Sequence, residues 1–125
     1  MQFQFDNERP IYIQLLEQLE LRIVSGQLTP GERLPSVRDL ALQAKANPNT
    51  VQKALAELEV HGLIFTERTN GKFVTNDQKL IKKYREQFAA TKTQKYLQDM
   101  SDLGFENYEI IDYFTKKGVI NSEKE

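Results

Sequence analysis

Four polar side chains lie close together near the start of a predicted helix, and they are of the types that recognise nucleic acids. They are Asn49, Thr50, Gln52 and Lys53. Amides and hydroxyls bond base edges when the end of a helix enters a major groove, and ammonium groups bind phosphates. Asn49 and Gln52 could each form a two-bond contact with adenine, which contributes roughly 1–3 kcal/mol of discrimination. The same side chains are also typical of an ordinary solvent-exposed helix, so this group alone leaves both interpretations open.

The helix that carries this group is predicted over residues 47–61, NPNTVQKALAELEVH. Asn47 can cap its first turn, and Pro48 suits the first helical position because the N–H that proline lacks would be unpaired there. Apolar residues follow the i, i+3, i+4, i+7 spacing of a buried face. They are Val51, Ala54, Leu55 and Leu58. Burial of that face would leave the polar group exposed.

A second, shorter helix is predicted to precede this one. Ser36 can cap it, and Asp39 can return a hydrogen bond in the manner of a capping box. Its inner face consists of Val37, Leu40, Ala41 and Ala44. A turn of about three residues, with Ala46 where a glycine is usual, joins the two helices at helix-turn-helix spacing. Arg38 projects outward, where it could bind a phosphate or a guanine edge, or instead pair with Glu32 or Asp39.

One more helix is predicted upstream, from Pro10 to about Ser25, and Gly26 can end it. Its apolar stripe consists of Ile11, Leu15, Leu19 and Ile23. Pro30–Gly31 is a strong turn signal between this helix and the next. Residues 1–9 are interpreted as a short strand or an anchored arm.

A β-hairpin is predicted downstream. Residues 63–66 and 72–75 have strand preference, and Asn70–Gly71 between them is a strong hairpin signal. The side chains predicted to cover the helical core are Leu63, Phe65 and Phe73. Arg68 and Lys72 stand at the tip, where they could reach phosphates or a minor groove, or only keep an edge strand soluble. Three helices followed by a hairpin predict a mostly α (α+β) fold with an N-terminal winged helix-turn-helix.

Three segments have a specific order and spacing: PGERLPSVRDLA, NPNTVQKALAELEVHGLI and GKFV. With them, residues 10–75 resemble the DNA-binding domain of the GntR family of bacterial transcription regulators, and the NPNTV form and short tail resemble its YtrA-type subfamily. The positions that match the family's DNA contacts are Ser36, Arg38, Asn47, Asn49, Thr50, Gln52 and Gly71 with its neighbours. The wing departs from the usual pattern, because Asn70 replaces a glycine and Lys72 a threonine.

A helical segment is predicted after the wing. Apolar stripes occur before and after the polar stretch AATKTQ, so either one long helix extends to Asp102 or two helices meet near Thr91. Gly104 ends this part, and Asn107 opens a final helix that Gly118 stops.

The apolar side chains of this tail are too many for a disordered extension and too few to enclose a ligand cavity of about 300–1,000 Å³. Packing against a second copy is the simplest way to bury them, and the YtrA-type resemblance also implies a homodimer. The residues predicted to dimerise are Leu80, Ile81, Tyr84, Phe88, Tyr96, Leu97, Met100, Ile111 and Phe114. The predicted domains are therefore a winged helix-turn-helix of residues 1–76 and a dimerisation segment of residues 77–125. Two-fold symmetry predicts a palindromic double-stranded DNA operator with half-sites about 34 Å apart.

Net charge is −1 over the 125 residues, which by itself disfavours a polyanionic partner. Between Arg33 and Lys53, however, four cations oppose only one carboxylate, Asp39. A local basic face is therefore predicted, with weak non-specific DNA binding that salt weakens further.

Composition also narrows the other function classes. The chain has no cysteine, and its one histidine, His61, falls at the end of a helix, so neither an enzyme nor a cofactor is expected. The carboxylate pairs Asp99/Asp102 and Glu106/Glu109 are interpreted as solvated helix faces rather than as a metal site. No apolar run approaches the roughly 18 residues of a membrane span and no signal pattern begins the chain, so a cytoplasmic location is expected.

A sequence-specific DNA-binding regulator, acting as a repressor, is the function that these observations favour. A winged helix used for protein contacts or RNA is the alternative, and it predicts an apolar third-helix face and a dispensable Arg38. The YtrA-type resemblance implies control of a transporter operon. The operator sequence and any small-molecule effector cannot be read from the sequence.

Overall fold

Five α-helices and one antiparallel hairpin follow one another in the part of the chain that the computed structural model describes, residues 1–117. They are α1 (Ile11–Val24), α2 (Val37–Ala44), α3 (Pro48–Val60), β1 (Ile64–Glu67), β2 (Gly71–Val74), α4 (Gln78–Asp102) and α5 (Asn107–Lys116). This order confirms the predicted mostly α winged helix-turn-helix followed by further helices. Gly118, predicted to stop the last helix, lies outside the described residues. Residues 1–85 form one compact unit and the chain from residue 86 on forms a second; the functional division after residue 76 stays a prediction.

The predicted apolar stripes form the core of the N-terminal unit. Its most deeply buried side chains, each 1% exposed or less, are Leu15, Leu19, Ile23, Leu40, Val51, Ala54, Leu55, Leu58, Leu63, Ile64 and Val74. Burying one large aliphatic side chain contributes roughly 1.5–3 kcal/mol, so this core fixes how α3 is rotated about its axis. The polar face of α3 must then point away from the other helices.

Residues before Pro10 form an arm anchored along α1. The Gln18 carboxamide accepts from the backbone N–H of Gln4 at 3.2 Å and donates to its carbonyl at 2.6 Å. Gln14 makes the same pair of bonds with the backbone of Asp6, at 3.0 and 3.1 Å. Of the two interpretations of this segment, the anchored arm is therefore the correct one.

The turn between α2 and α3 differs in detail from the prediction. Lys45, not Ala46, takes the place of the usual glycine, with a left-handed φ of 54°. Its N–H and that of Ala46 bond the carbonyls of Leu42 and Ala41, which closes α2. A left-handed conformation costs a residue with a Cβ roughly 1–2 kcal/mol, and the capped helix end and the packed helices on either side offset it.

The hairpin packs on the core through a different pair of side chains from the one predicted. Ile64 pairs with Val74 and both are buried, whereas Phe65 pairs with Phe73 and the two half-buried rings stack at 5.8 Å. Successive strand side chains point to opposite faces, so only one of these two pairs can face the helices. The prediction that Phe65 and Phe73 cover the core is therefore wrong, and that for Leu63 is confirmed.

The first turns of α4 belong to the N-terminal unit. Leu80, Ile81 and Tyr84 pack against its core, which gives these three predicted dimerisation residues a role within one chain. α4 runs without interruption from Gln78 to Asp102, so the alternative of a break near Thr91 is excluded.

In the C-terminal unit, α4 and α5 pack together through their own apolar residues. Met100 and Ile110 are buried, and the rings of Tyr96 and Phe114 meet edge to face at 5.7 Å. Glu106 and Glu109 form a capping box at the start of α5, so this carboxylate pair has a structural role. Within residues 1–117, the structure contains no helix that could span a membrane.

Candidate nucleic-acid interface

The first turns of α3 present the polar group to solvent. Asn49, Gln52 and Lys53 are exposed and Thr50 is half-buried, while Val51 on the opposite face is 0% exposed. This arrangement follows from the apolar spacing of α3, since burial of one face turns the other outward. A helix end that carries free amides in this way has the geometry needed to read base edges.

Asn47 does the capping work that its position predicts. Its Oδ1 accepts from the backbone N–H of Asn49 at 2.8 Å, and Pro48 occupies the first helical position. The side-chain oxygen is therefore engaged within the protein, and the amide NH₂ is the group left for a ligand. An N-cap side chain of this kind stabilises a helix by typically about 1 kcal/mol.

The start of α2 supplies a cap and a free guanidinium. Ser36 Oγ accepts from the backbone N–H of Asp39 at 3.1 Å. Glu32, one of the two proposed partners of Arg38, instead accepts from the backbone N–H and hydroxyl of Thr29. In the part of the chain that the structure describes, no carboxylate lies within 4.0 Å of the exposed Arg38 guanidinium. Arg38 is thus left available to an external anion.

Lys53 is held in place by an aromatic ring. Its Nζ lies 4.0 Å from the centroid of the Tyr12 ring on α1. A cation over an aromatic face at an exposed site is stabilised by roughly 0.5–1 kcal/mol. The ammonium is therefore positioned beside the amide row on α3 but stays hydrated enough to bind a phosphate.

Lys72 differs from the prediction that places it free at the wing tip. It is half-buried, and its Nζ contacts Glu59 Oε1 at 3.2 Å and Thr66 Oγ1 at 2.8 Å. Burial opposes ionisation of Glu59, but hydrogen bonds from Thr66 and Lys72 outweigh it and hold the pKa of this carboxyl below its usual value. A DNA contact by Lys72 would have to compete with this ion pair.

The remaining wing residues lie at the hairpin turn. Arg68 is exposed, and Gly71 has a φ of +105°, a conformation that residues with a Cβ rarely adopt. The guanidinium of Arg33 lies against Gly71, with Nε 3.3 Å from the position of a Cβ on that residue. Sequence reasoning included Arg33 in the local charge balance only, because no local signal brings it to the wing.

The other end of α3 contains a partly buried acid–histidine pair. His61 Nδ1 lies 2.8 Å from Glu20 Oε2 of α1, and the imidazole stacks on Tyr84 at 5.7 Å. Burial raises the pKa of Glu20, the hydrogen bond and charge of His61 lower it in part, and the charge of Glu17 raises it further. The predicted helix-terminal role of His61 therefore extends to a bond between the recognition helix and α1.

This pair predicts how stability depends on pH. Because the pKa of Glu20 is raised in the folded chain, its contribution is fully present below the unfolded pKa and is lost as pH rises through the folded pKa. We expect Glu20→Gln to gain stability relative to wild type between about pH 4.5 and pH 7, since glutamine does not ionise. Urea unfolding at several pH values would measure the difference.

The matched control is Glu17→Gln, which removes a carboxylate on the same helix that is 44% exposed. Its difference from wild type should change little over that range. A Glu20→Gln variant that lost stability relative to wild type as pH rose would show that ionised Glu20 strengthens the fold.

The C-terminal unit contains an apolar groove. It has a volume of about 590 Å³ and is lined by Lys92, Tyr96, Met100, Leu103, Phe105 and Phe114 among others. The groove is open to solvent rather than enclosed, in agreement with the tail's limited supply of large side chains. The most exposed large apolar residues of this unit are Leu103, Tyr108 and Ile111, at 73%, 73% and 67%. Of these, only Ile111 is among the residues predicted to dimerise.

Comparison with known proteins follows the same division. The sequence profile described as "Bacterial regulatory proteins, gntR family" matches residues 11–74. The chain is 33% identical over 112 residues to the uncharacterized HTH-type transcriptional regulator YhcF of Bacillus subtilis, covering 90% of this chain and 93% of YhcF. It is 46% identical over 70 residues to the HTH-type transcriptional repressor YtrA of B. subtilis, covering 56% of this chain and 54% of YtrA.

Solved structures show the same fold. A GntR family transcriptional regulator from Listeria monocytogenes has a TM-score of 0.81 at 38% identity, over 87% of this chain and 96% of that one. The DNA-binding domain of AraR, solved in complex with operator ORE1, has a TM-score of 0.52 at 27% identity, over 60% of this chain and 94% of that one.

Proposed function

This chain belongs to the GntR family of bacterial regulatory proteins and is a transcriptional regulator of that type, and we propose that it represses transcription by binding an inverted-repeat operator as a homodimer. The observation that carries the proposal is the exposed row on α3, with Asn49 and Gln52 free and the opposite face fully buried. The likeness to YtrA, named a repressor, and to a domain solved on operator DNA supports it.

We assign the contacts by the chemistry of each group. Asn49, Thr50 and Gln52 read base edges in the major groove, since amides and hydroxyls there can distinguish one base pair from another. The residues assigned to the DNA backbone are Ser36, Arg38, Asn47, Lys53, Arg68 and Gly71. Lys72 contributes only if its bond to Glu59 opens.

Dimerisation follows from the size of a single module. One winged helix buries only about 600–1,000 Å² on DNA, so two linked modules are needed for useful affinity at a chosen site. We propose that the second copy packs on the exposed apolar surface of the C-terminal unit, defined by Leu103, Tyr108 and Ile111. Phe88 and Leu97 are half-buried on α4 and can extend this surface. Met100, Tyr96 and Phe114 would support it from within each copy.

The class of target gene rests on the subfamily. The resemblance to YtrA-type regulators favours a transporter operon, with the operator upstream of it. Gene neighbourhood, read together with the operator sequence, would test this assignment.

Selection of duplexes from a random DNA pool by the full-length chain tests the proposal. We expect an enriched inverted repeat whose half-site centres lie about one helical turn, 34 Å, apart. An Arg38→Met/Gln52→Ala variant, run in parallel, should enrich no repeat. A wild-type selection without any enriched duplex, or with enrichment only from a parallel RNA pool, would contradict the proposal.

A further inference from the structure

Arg33 is fixed beside the wing by backbone pairing. The N–H of Leu34 donates to the carbonyl of Lys72 at 2.8 Å, and the N–H of Val74 donates to the carbonyl of Glu32 at 2.8 Å. Arg33 itself forms a β-bridge with Phe73. The loop before α2 therefore adds a short third partner to β2, and the position of Arg33 is as well defined as that of the strand.

The Arg33 side chain reaches along β2 to the hairpin turn. Its Nε and Nη2 lie 3.3 and 3.5 Å from the position that a Cβ on Gly71 would occupy. A side chain at residue 71 would push the guanidinium away, so the glycine leaves the space that Arg33 uses. Arg33 is exposed, and among residues 1–117 no carboxylate lies within 4.0 Å of it.

The charge at the wing points to a purpose for this guanidinium. Lys72 is neutralised by Glu59, so the wing cations left without such a partner in the described structure are Arg68 at the tip and Arg33 at its base. Arg33 also lies three residues before Ser36, the first residue of the proposed DNA face on α2. It is therefore bracketed by the wing and the start of the helix-turn-helix.

We infer that Arg33 binds a backbone phosphate of the DNA between the wing and α2, with Gly71 kept small to leave room for its guanidinium. This inference rests on the proposed function. The guanidinium is suited to the role because it is always charged and presents several N–H donors in a plane. A phosphate contact fixes the position of the protein on the duplex and carries no sequence information directly.

Arg33→Met and Arg33→Lys, in the full-length chain, test this inference. The probes are the duplex that the wild type enriches from a random pool and an unrelated 40-base-pair duplex, each titrated at 50 and 200 mM KCl. We expect Arg33→Met to weaken both probes alike. Its deficit relative to wild type should shrink by about threefold per lost contact across that salt range. Arg33→Lys should keep most of the salt dependence, because the charge is retained.

Arg85→Met is the matched control, since Arg85 is also exposed in the N-terminal unit but lines a groove at the end of α1 with Ser25 and Gly26. It should bind both probes as the wild type does, and all three variants should melt at the wild-type temperature. Wild-type affinity and salt dependence in Arg33→Met would overturn the inference, as would a loss confined to the enriched duplex.

Failure of the proposed function would look different. If the wild type enriches no duplex, sequence-specific binding is absent, but the unrelated duplex still shows whether Arg33 contributes a phosphate contact. If the wild type enriches an inverted repeat and Arg33→Met binds both probes normally, only the role of Arg33 is wrong.

Discussion

A chain in which Tyr108 and Ile111 are both replaced by glutamate is expected to bind its inverted-repeat duplex at least about 100-fold more weakly than wild type. Both side chains are largely exposed, at 73% and 67%, so the single chain should fold normally. In a dimer, the four introduced carboxylates would instead be forced together in an apolar interface, which is costly without cationic partners. Binding at the second half-site would then lose the effective concentration that linkage provides.

Two measurements separate the parts of this expectation. Sedimentation equilibrium gives the mass of the free protein, and titration of a full repeat and a single half-site gives the contribution of linkage. The matched control is Gln87→Glu/Gln94→Glu, which adds the same charge at exposed positions of α4. It should stay dimeric with wild-type affinity. A Tyr108→Glu/Ile111→Glu protein that is still dimeric would move the interface elsewhere, and a monomer that still binds tightly would remove the need for dimerisation.

Local sequence patterns account for most of the fold and for the orientation of α3. The spacing of Val51, Leu55 and Leu58 specifies one buried face, and the structure buries all three. Asn47 and Pro48 define the start of the same helix through their own chemistry, and the cap forms as expected. These features were predictable because each depends on residues within two turns of one another.

Features that depend on distant residues were harder to predict. The stripe of Leu80, Ile81 and Tyr84 shows that these side chains need cover, but not that the core of the same chain supplies it. The pairing of Lys72 with Glu59 joins β2 to α3, and no local pattern specifies that contact. The DNA contacts themselves stay predictions for the same reason, since the partner is a separate molecule.

Gln52→Ala and Lys53→Ala are expected to weaken DNA binding in different ways, although the two residues are neighbours on α3. Gln52 is exposed in the amide row, so its loss should reduce the preference for one base pair in each half-site by about tenfold, or roughly 1–3 kcal/mol. Binding to unrelated duplex should change little. Lys53 lies on Tyr12 and is proposed to bind phosphate, so Lys53→Ala should weaken every duplex alike and reduce the salt slope by about 1.

A panel of operator duplexes, each with one base pair changed, would measure both effects when titrated at several salt concentrations. Ala56→Ser, one turn further along the exposed face of α3, is the control for substitution on this surface and should behave as wild type. Melting temperatures identify any loss that comes from the Tyr12–Lys53 contact rather than from DNA. If Gln52→Ala weakened all duplexes equally, Gln52 would be a backbone contact. If Lys53→Ala changed the preferred base, the ammonium would reach the groove itself, and the base-reading surface would extend further along α3 than its first turn and a half.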